Sequence, residues 1–283
     1  MSGWQNFVNK VRKFEICVAP SRKRSGMEIN MNNKNPEKLQ RYKKSWSINS
    51  GGLKLIAMMT MLIDHFGAAF LIFYMNIGDN RLKYHELYNI IRGIGRISFP
   101  IFIFLLMEGL YHTRNIWKYL LRLALFCIVS EIPFDLAFRR RLFDWQYQNV
   151  FFTLLIGLAA TALMQYKNKF FNNAALPGRF LNLLTNILIA AAAMLLADVL
   201  KTDYSWAGVL AILTAYWLRS SDLQMWFVCL VLFFFSSSLE IYALFCIPFI
   251  SHYNGKKGHL PKWMPYLFYP VHLLILWGIT SMI

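Results

Sequence analysis

The sequence predicts an all-α, polytopic transmembrane helix bundle, and two observations support that prediction. Hydrophobic residues occupy 57% of the 283 positions and aromatic residues 17%, with a mean hydropathy of +0.39, whereas soluble domains are roughly 45–50% apolar. Long apolar runs also follow one another closely from Gly52 onward. We expect each run to be a helix, because open sheet edges are not stable in lipid.

The charge distribution indicates membrane surfaces rather than nucleic acid as the partner. There are 30 Lys and Arg residues against 14 Asp and Glu, a formal charge of +16, and the basic residues cluster between the apolar runs. This clustering is typical of cytoplasmic loops and of contact with anionic lipid headgroups. The four cysteines form no CxxC pair and no zinc-ligand spacing, so no metal is expected.

Two domains are expected, a basic cytoplasmic segment over residues 1–50 and a membrane domain over residues 51–283. Within the first, WQNFVNKVRKFEI places apolar residues near helical spacing and basic residues elsewhere, which favours an amphipathic helix at the membrane interface. A disordered basic leader is the alternative.

The membrane domain is expected to contain about nine spanning helices, within a range of eight to ten. A span needs about 20 apolar residues, although shorter ones are tolerated inside a bundle. The apolar runs lie near residues 53–74, 95–111, 117–137, 149–166, 181–199, 204–218, 224–237, 239–251 and 264–282.

The loops predict the orientation of the chain. Most basic loop residues fall on the cytoplasmic side if the N-terminus is cytoplasmic, so we expect a multi-pass membrane protein with a cytoplasmic N-terminus. Arg81 with Lys83, and the triplet Arg139-Arg140-Arg141, fall on the outer side instead. The triplet either binds an anionic group, is a tolerated outer cluster, or indicates that the third span is re-entrant.

Ionisable residues inside the spans are candidates for function, because inserting each one costs roughly 2.5–3.5 kcal/mol. These residues are Asp64, His65, Glu108, Glu131, Asp135, Asp198 and His272.

In the first span, Lys54 and His65 are eleven residues apart, so they share a helix face and are separated by roughly 16 Å along the axis. This spacing suits a long ligand with phosphates at the surface and a reactive end inside, such as a coenzyme A thioester. A snorkelling Lys54 and a hydrogen-bonded, buried His65 are the structural alternatives. Asp64 points about 100° away from His65 and is expected to pair with another helix.

Two further pairs share a helix face at i, i+4, namely Glu108 with His112 and Glu131 with Asp135. Pro133 lies within the second pair and is expected to kink the helix. Two acids on one face can keep a proton available, or arginines can neutralise them. The available arginines are Arg92, Arg96 and Arg122.

Later polar positions add a second imidazole to the candidate site. They are Gln148, Asn149, Thr153, Asp203, Tyr204 and His272. Buried histidines among carboxylates are typical of proton handling. The sequence contains no HExxH, no P-loop and no GxSxG motif.

Seven segments together resemble the TraX family, in the right order over roughly residues 50–282. They are GLKLIAMMTMLIDHFG, RISFPIFIFLLMEGLYHTRN, VSEIPFDLAF, QNVFFTLLIG, DYSWAGVL, YNGKKG and FYPVHLLIL. TraX itself is associated with N-terminal acetylation of F-type conjugative pilin, and the family is similar to a broader superfamily of transmembrane acyltransferases. Sugar O-acetyltransferases of that superfamily carry an arginine, ten residues and then a histidine in an early span. Lys54 and His65 match this spacing, with lysine in place of arginine.

The resemblance implies acetyl transfer from acetyl-CoA to an amine or hydroxyl of a peptide or pilin, a glycan or a lipid. His65 would be the general base or the acetyl carrier, Asp64 or Glu131 would tune its charge, and His272 would donate to the thioester oxygen. The expected catalytic residues are His65, Asp64, Glu131 and His272. The expected coenzyme A contacts are Lys54, Arg114 and Arg122. The expected acceptor contacts are Glu108, Asp135, Asn149 and Tyr204.

A proton-coupled membrane transporter is the alternative, because it too needs buried acids and histidines. Such transporters often contain internal repeats with broken helices in matching positions, and the sequence shows no such repeat. A structural subunit of a conjugation or secretion apparatus is a third hypothesis.

Overall fold

The structure, a computed structural model, describes residues 47–76, 81–171, 176–219, 222–261 and 263–282. Over those ranges it is helical, with two isolated β-bridges and no strand. Most of the basic segment, with the interfacial helix expected in it, lies outside the described residues. The prediction of an all-α protein is confirmed for the described part of the chain.

The helices follow one another with short connections. In chain order they are α1 Ser50–His65, α2 Ile72–Asn76, α3 Arg81–Gly95, α4 Ser98–His112, α5 Ile116–Arg139, α6 Val150–Phe171, α7 Leu176–Val199, α8 Ser205–Trp217, α9 Gln224–Phe235, α10 Cys246–Ser251 and α11 Met264–Ser281. A π-helical segment, Phe66–Leu71, joins α1 to α2, and a 3₁₀ segment, Ser238–Phe245, precedes α10.

Four helical runs are long and apolar enough to cross a membrane: Ser50–Asn76, Leu82–His112, Val150–Phe171 and Pro177–Val199. Three apolar helices are shorter: Ser205–Trp217, Gln224–Phe235 and Ser238–Ser251. The count of about nine spans is therefore not confirmed. The three apolar helices are too short to count as membrane spans. Helix α5 is 24 residues long but carries charged residues at both ends and in its middle.

The second apolar run begins earlier than the sequence predicted. The helical run starts at Leu82 rather than near residue 95, with only a turn at 96–97 between α3 and α4. Arg92 and Arg96 therefore lie inside a candidate span. Their charges are compensated there by carboxylates from other elements, which lowers the cost of placing arginines in a span.

The core lies between α1, α4, α6, α8 and α9. Its fully buried side chains include Leu53, Ile101, Ile103, Leu158 and Ile212. Gly157 allows α6 to approach α8 closely, because a Cβ there would meet Ile212 at 2.5 Å. These contacts fix the helices that carry the polar residues of the bundle interior.

Candidate active site

Two cavities lie end to end in the bundle. The larger, of about 470 Å³, is named here the lysine chamber; its polar and aromatic lining includes Lys54, Glu108, His112, Tyr119, Arg122, Tyr253, Lys257 and Tyr266. The smaller, of about 200 Å³, is named the histidine chamber; its lining includes Asp64, His65, Arg92, Arg96, Phe138, Arg139, Tyr147, Asp203 and Tyr204.

The two chambers meet at three shared side chains. These are Met61, Phe102 and Val150, which line both cavities. Along α1 the lining passes from Lys54 in the lysine chamber to His65 in the histidine chamber, and along α5 it passes from Tyr119 to Arg139. Along α4 the lining passes in the opposite order, from Phe99 in the histidine chamber to His112 in the lysine chamber. The chambers therefore occupy opposite ends of these helices.

His65 and His272 form a hydrogen-bonded pair beside this junction. His65 Nδ1 lies 2.6 Å from His272 Nε2. The ring planes are 9° apart with centroids at 4.9 Å, so the rings lie edge to edge in nearly one plane, because face-to-face rings would not bring the nitrogens so close. The edges of Phe138 and Tyr269, at centroid distances of 5.4 and 5.6 Å, hold the His65 ring in this orientation.

The hydrogen-bond partners assign the protons of this pair. His272 Nδ1 lies 2.7 Å from the carbonyl oxygen of Phe268, which can only accept, so His272 carries its proton on Nδ1 and its neutral ring accepts at Nε2. His65 must then donate from Nδ1. Its Nε2 keeps an unshared electron pair and has no hydrogen-bond partner among the described residues. This electron pair is the position at which His65 can accept a proton or from which it can attack an electrophile.

Asp64 follows its predicted helical phase and pairs with α3. Its Oδ2 lies 2.6 Å from Arg92 Nη1, and its Oδ1 lies 3.2 Å from Arg96 Nη2. The close approach depends on Gly95, because a Cβ there would collide with the Asp64 side chain. Asp64 lines the histidine chamber with His65, but both of its oxygens are engaged by arginines rather than by the imidazole.

Glu240 completes this network, although the sequence interpretation did not single it out. Arg96 Nη1 donates to Glu240 Oε1 at 3.0 Å and to the Tyr204 hydroxyl at 3.1 Å. Glu240 is fully buried in the 3₁₀ segment. Its signal in the sequence was a lone acid within the apolar run FFFSSSLEIYALF.

Glu131 and Asp135 lie outside both chambers, and of the two alternatives left open by the sequence, pairing with Arg92, Arg96 or Arg122 is not observed. Glu131 Oε2 accepts from the backbone and side-chain amides of Asn149, and Asp135 Oδ2 accepts from the backbone N–H of Asp144 at 2.7 Å. Arg92 and Arg96 are instead committed to Asp64 and Glu240. Asn149 also caps α6, accepting from the Phe151 N–H at 3.0 Å.

The lysine chamber contains three of the residues predicted to contact coenzyme A or the acceptor. Lys54, Arg122 and Glu108 line it, and Glu108 lies 3.5 Å from Arg219. Lys257, from the loop after α10, lies on the same wall and was not singled out from the sequence. Arg114 is exposed and does not line either chamber.

Two loops beside the histidine chamber place Tyr147 against Asp203. The Tyr147 hydroxyl donates to Asp203 Oδ1 at 2.7 Å. Burial, and then the neighbouring Asp203 carboxylate, raise the pKa of Tyr147 above its ordinary value, so the hydroxyl stays protonated. Tyr204, a predicted acceptor contact, stacks on Phe99 at 3.9 Å and also lines this chamber.

The family model described as TraX protein matches residues 50–280 of the chain. The chain belongs to the TraX family. It is similar to the probable fimbrial assembly protein FimC, serogroup H1, of Dichelobacter nodosus, with 30% identity over 249 residues that cover 79% of this chain and 92% of that protein. No solved structure matches it. The resemblance to the TraX family is confirmed, and with its apolar helices this TraX-family chain is a membrane protein.

Proposed function

We propose that this TraX-family protein is an integral-membrane acetyltransferase that moves an acetyl group from acetyl-CoA to an amine or hydroxyl of its acceptor. The observation that carries the proposal is the oriented His65–His272 pair beside the junction of two chambers. A relative named for fimbrial assembly supports a pilus-related role and, among peptide, glycan and lipid acceptors, favours a peptide of a pilus subunit.

The lysine chamber has the size and charge for the acetyl-CoA co-substrate. Its volume of about 470 Å³ is that of a small-molecule site. Lys54, Arg122 and Lys257 provide cations for the phosphates, and the apolar wall leading to Met61 suits the pantetheine arm. Lysine holds a phosphate as a point charge rather than through the two-pronged contact of arginine. The reaction needs no metal.

The histidine pair supplies the proton transfers of acyl transfer. His65 Nε2 removes a proton from the acceptor as its nitrogen or oxygen attacks the thioester carbonyl carbon. The carbon–sulfur bond then breaks, and the protonated His65 returns a proton to the departing thiolate. Throughout these steps, His272 Nε2 accepts the hydrogen bond from His65 Nδ1 and so holds the imidazolium in place. If the acetyl group is carried on the enzyme, the same Nε2 is the nucleophile.

His272 has a different role here from the one expected from the sequence. Both of its nitrogens are occupied, one by His65 and one by the Phe268 carbonyl. It is therefore a positioning residue for His65 and does not donate to the thioester oxygen.

The orientation of the chambers follows from the basic loops. With the N-terminus in the cytoplasm, the lysine chamber, lined by Ser50, Thr113 and Lys257, opens toward the cytoplasm of a bacterial inner membrane. Acetyl-CoA then enters from the compartment that contains it, and the acceptor enters from the opposite side.

The test is acetyl-CoA binding and thiol release by the purified full chain in detergent, comparing wild type with His65→Ala and His85→Ala. His85 is exposed on α3 and lies outside both chambers, so it is the matched histidine control. We expect all three proteins to bind acetyl-CoA and only His65→Ala to lose turnover, by at least about a hundredfold. Absence of binding and turnover in the wild type would refute the proposal.

A proton-coupled transporter is the second candidate, because the chambers lie at opposite ends of the bundle and Glu131 and Asp135 are buried without a cation partner among the described residues. This function predicts pH-gradient-driven flux in proteoliposomes that His65→Ala abolishes, with no acetyl-CoA turnover.

A further inference from the structure

The carbonyl oxygen of the thioester needs a hydrogen-bond donor, because it gains negative charge when the acceptor attacks the carbonyl carbon. His272 does not serve that oxygen, since both of its ring nitrogens are occupied. Arg92 and Arg96 line the histidine chamber but are committed to carboxylates. Another side chain close to His65 must therefore supply the donor.

Tyr269 carries a hydroxyl that no neighbouring group engages. The residue is only 1% exposed, yet its hydroxyl has no hydrogen-bond partner among the residues that the structure describes. Buried polar groups are normally hydrogen-bonded, so a hydroxyl without a partner calls for an explanation. The fully enclosed side-chain oxygens that lack a partner belong to other residues. The Tyr269 hydroxyl therefore faces open space, and the cavity that Tyr269 lines is the lysine chamber.

Tyr269 lies beside the proposed base. Its ring centroid is 5.6 Å from that of His65, and the two ring planes stand at 78° to each other. Tyr269 and His272 are three residues apart on α11, so they share a helix face and both contact His65. Lys54 lines the same chamber but is separated from His65 by roughly 16 Å along α1. The Tyr269 hydroxyl is thus at the end of the chamber where the thioester group of a bound donor meets His65.

We infer that the Tyr269 hydroxyl is a catalytic hydrogen-bond donor to the thioester carbonyl oxygen, the role that the sequence predicted for His272. The inference rests on the proposed acetyl transfer. The hydroxyl donates to the carbonyl oxygen of the bound donor, and this hydrogen bond strengthens as negative charge develops on that oxygen.

The hydroxyl acts without a net proton transfer. When the acceptor attacks, the electron pair of the carbonyl π bond moves onto the oxygen, and Tyr269 keeps its proton while it stabilises that charge. When the carbonyl re-forms, the carbon–sulfur bond breaks and its electron pair leaves on sulfur. The proton that the thiolate receives comes from His65, as in the proposed mechanism.

Kinetics of Tyr269→Phe, with the full chain in detergent, test the inference, because phenylalanine keeps the ring against His65 and removes only the hydroxyl. We expect kcat for thiol release from acetyl-CoA to fall by roughly a hundredfold, with KM within about tenfold. The unfolding temperature should not fall, since no hydrogen bond within the protein is lost.

Tyr216→Phe is the matched control. Tyr216 is a partly buried tyrosine that packs against the core and lies outside both chambers. This variant should keep the wild-type kcat. An unchanged kcat in a folded Tyr269→Phe variant, or an equal loss in Tyr216→Phe, would overturn the inference.

A binding measurement separates this inference from the proposed function. S-ethyl-coenzyme A resembles acetyl-CoA but has a methylene group in place of the carbonyl. In titration calorimetry, the wild type should bind acetyl-CoA about threefold to tenfold more tightly than S-ethyl-coenzyme A, and Tyr269→Phe should bind both equally. A preference that is absent from the wild type, or that survives in the folded variant, would overturn the inference. A Tyr269-dependent preference without any thiol release would instead refute the acetyltransferase and leave this contact in place.

Discussion

The two chambers differ in how their charges are compensated. In the lysine chamber, Lys54, Arg122 and Lys257 form no ion pair among the described residues. In the histidine chamber, Arg92 and Arg96 are bound to carboxylates from α1 and the 3₁₀ segment. Arg139 also lines this chamber; it forms no ion pair among the described residues and lies over the Tyr147 ring. Unpaired cations are available to an anionic ligand, whereas paired ones hold the protein in a fixed arrangement.

We therefore expect the lysine chamber to bind a ligand and the charged network around Asp64 to stabilise the fold. Removing a charge from the lysine chamber should change ligand affinity with little effect on folding. Removing a charge from the network around Asp64 should change folding first, because it leaves another buried charge without a partner.

Arg96→Met should be the most damaging single change. It removes the partner shared by Asp64 and Glu240, and Glu240 is fully buried. Breaking a buried pair in this way costs about 3–5 kcal/mol, measurable by thermal or chemical unfolding in detergent. Arg141→Met, at an exposed loop arginine, is the control and should leave stability unchanged. Equal effects of the two substitutions would show that the network does not stabilise the fold.

His272→Ala should lower kcat for acetyl transfer by roughly a hundredfold while leaving the KM for acetyl-CoA within about twofold. The physical reason is that His272 fixes the tautomer and orientation of His65 but lies away from the lysine chamber. Steady-state kinetics separate the two parameters. A KM effect larger than the kcat effect would place His272 in donor binding rather than in positioning.

Lys54→Met should weaken acetyl-CoA binding by about tenfold, since one charged contact to a phosphate is lost. Lys54→Arg should keep the affinity within a few-fold, because the charge is retained. Lys118→Met, on an exposed position of α5 outside the lining, is the matched control. If S-acetylpantetheine, an acetyl donor that lacks the phosphates, loses the same affinity in Lys54→Met, the lysine does not act through phosphate.

The sequence predicted the components of the site better than their partners. Helical phase was enough to direct Asp64 away from His65, and two isolated imidazoles in apolar spans indicated a shared role that the His65–His272 contact fits. Partner choice depends on which helices pack together, which phase within one helix does not reveal. Two of the three arginines considered as partners for Glu131, Arg92 and Arg96, are therefore found on Asp64 and Glu240.

Two further misses have different physical causes. Tyr147 was not singled out from the sequence, and Asp203 was named only as a polar position, because the two come from separate loops and meet only through the fold. Arg114 was predicted from its charge and its place near the expected cytoplasmic face, but the short turn between α4 and α5 leaves it outside the lining.

Glu131→Gln should have the smallest effect, because Glu131 belongs to neither chamber. Its Oε2 accepts from Asn149, while Oε1 has no partner and no cation faces it among the described residues. A neutral side chain of the same shape keeps the acceptor, so unfolding free energy should change by less than about 1 kcal/mol, with acetyl transfer unaltered. Glu131→Ala, which leaves the Asn149 amide without its acceptor, should cost about 1–3 kcal/mol. Loss of transfer in a stably folded Glu131→Gln variant would restore the catalytic role predicted from the sequence and extend the active site along α5.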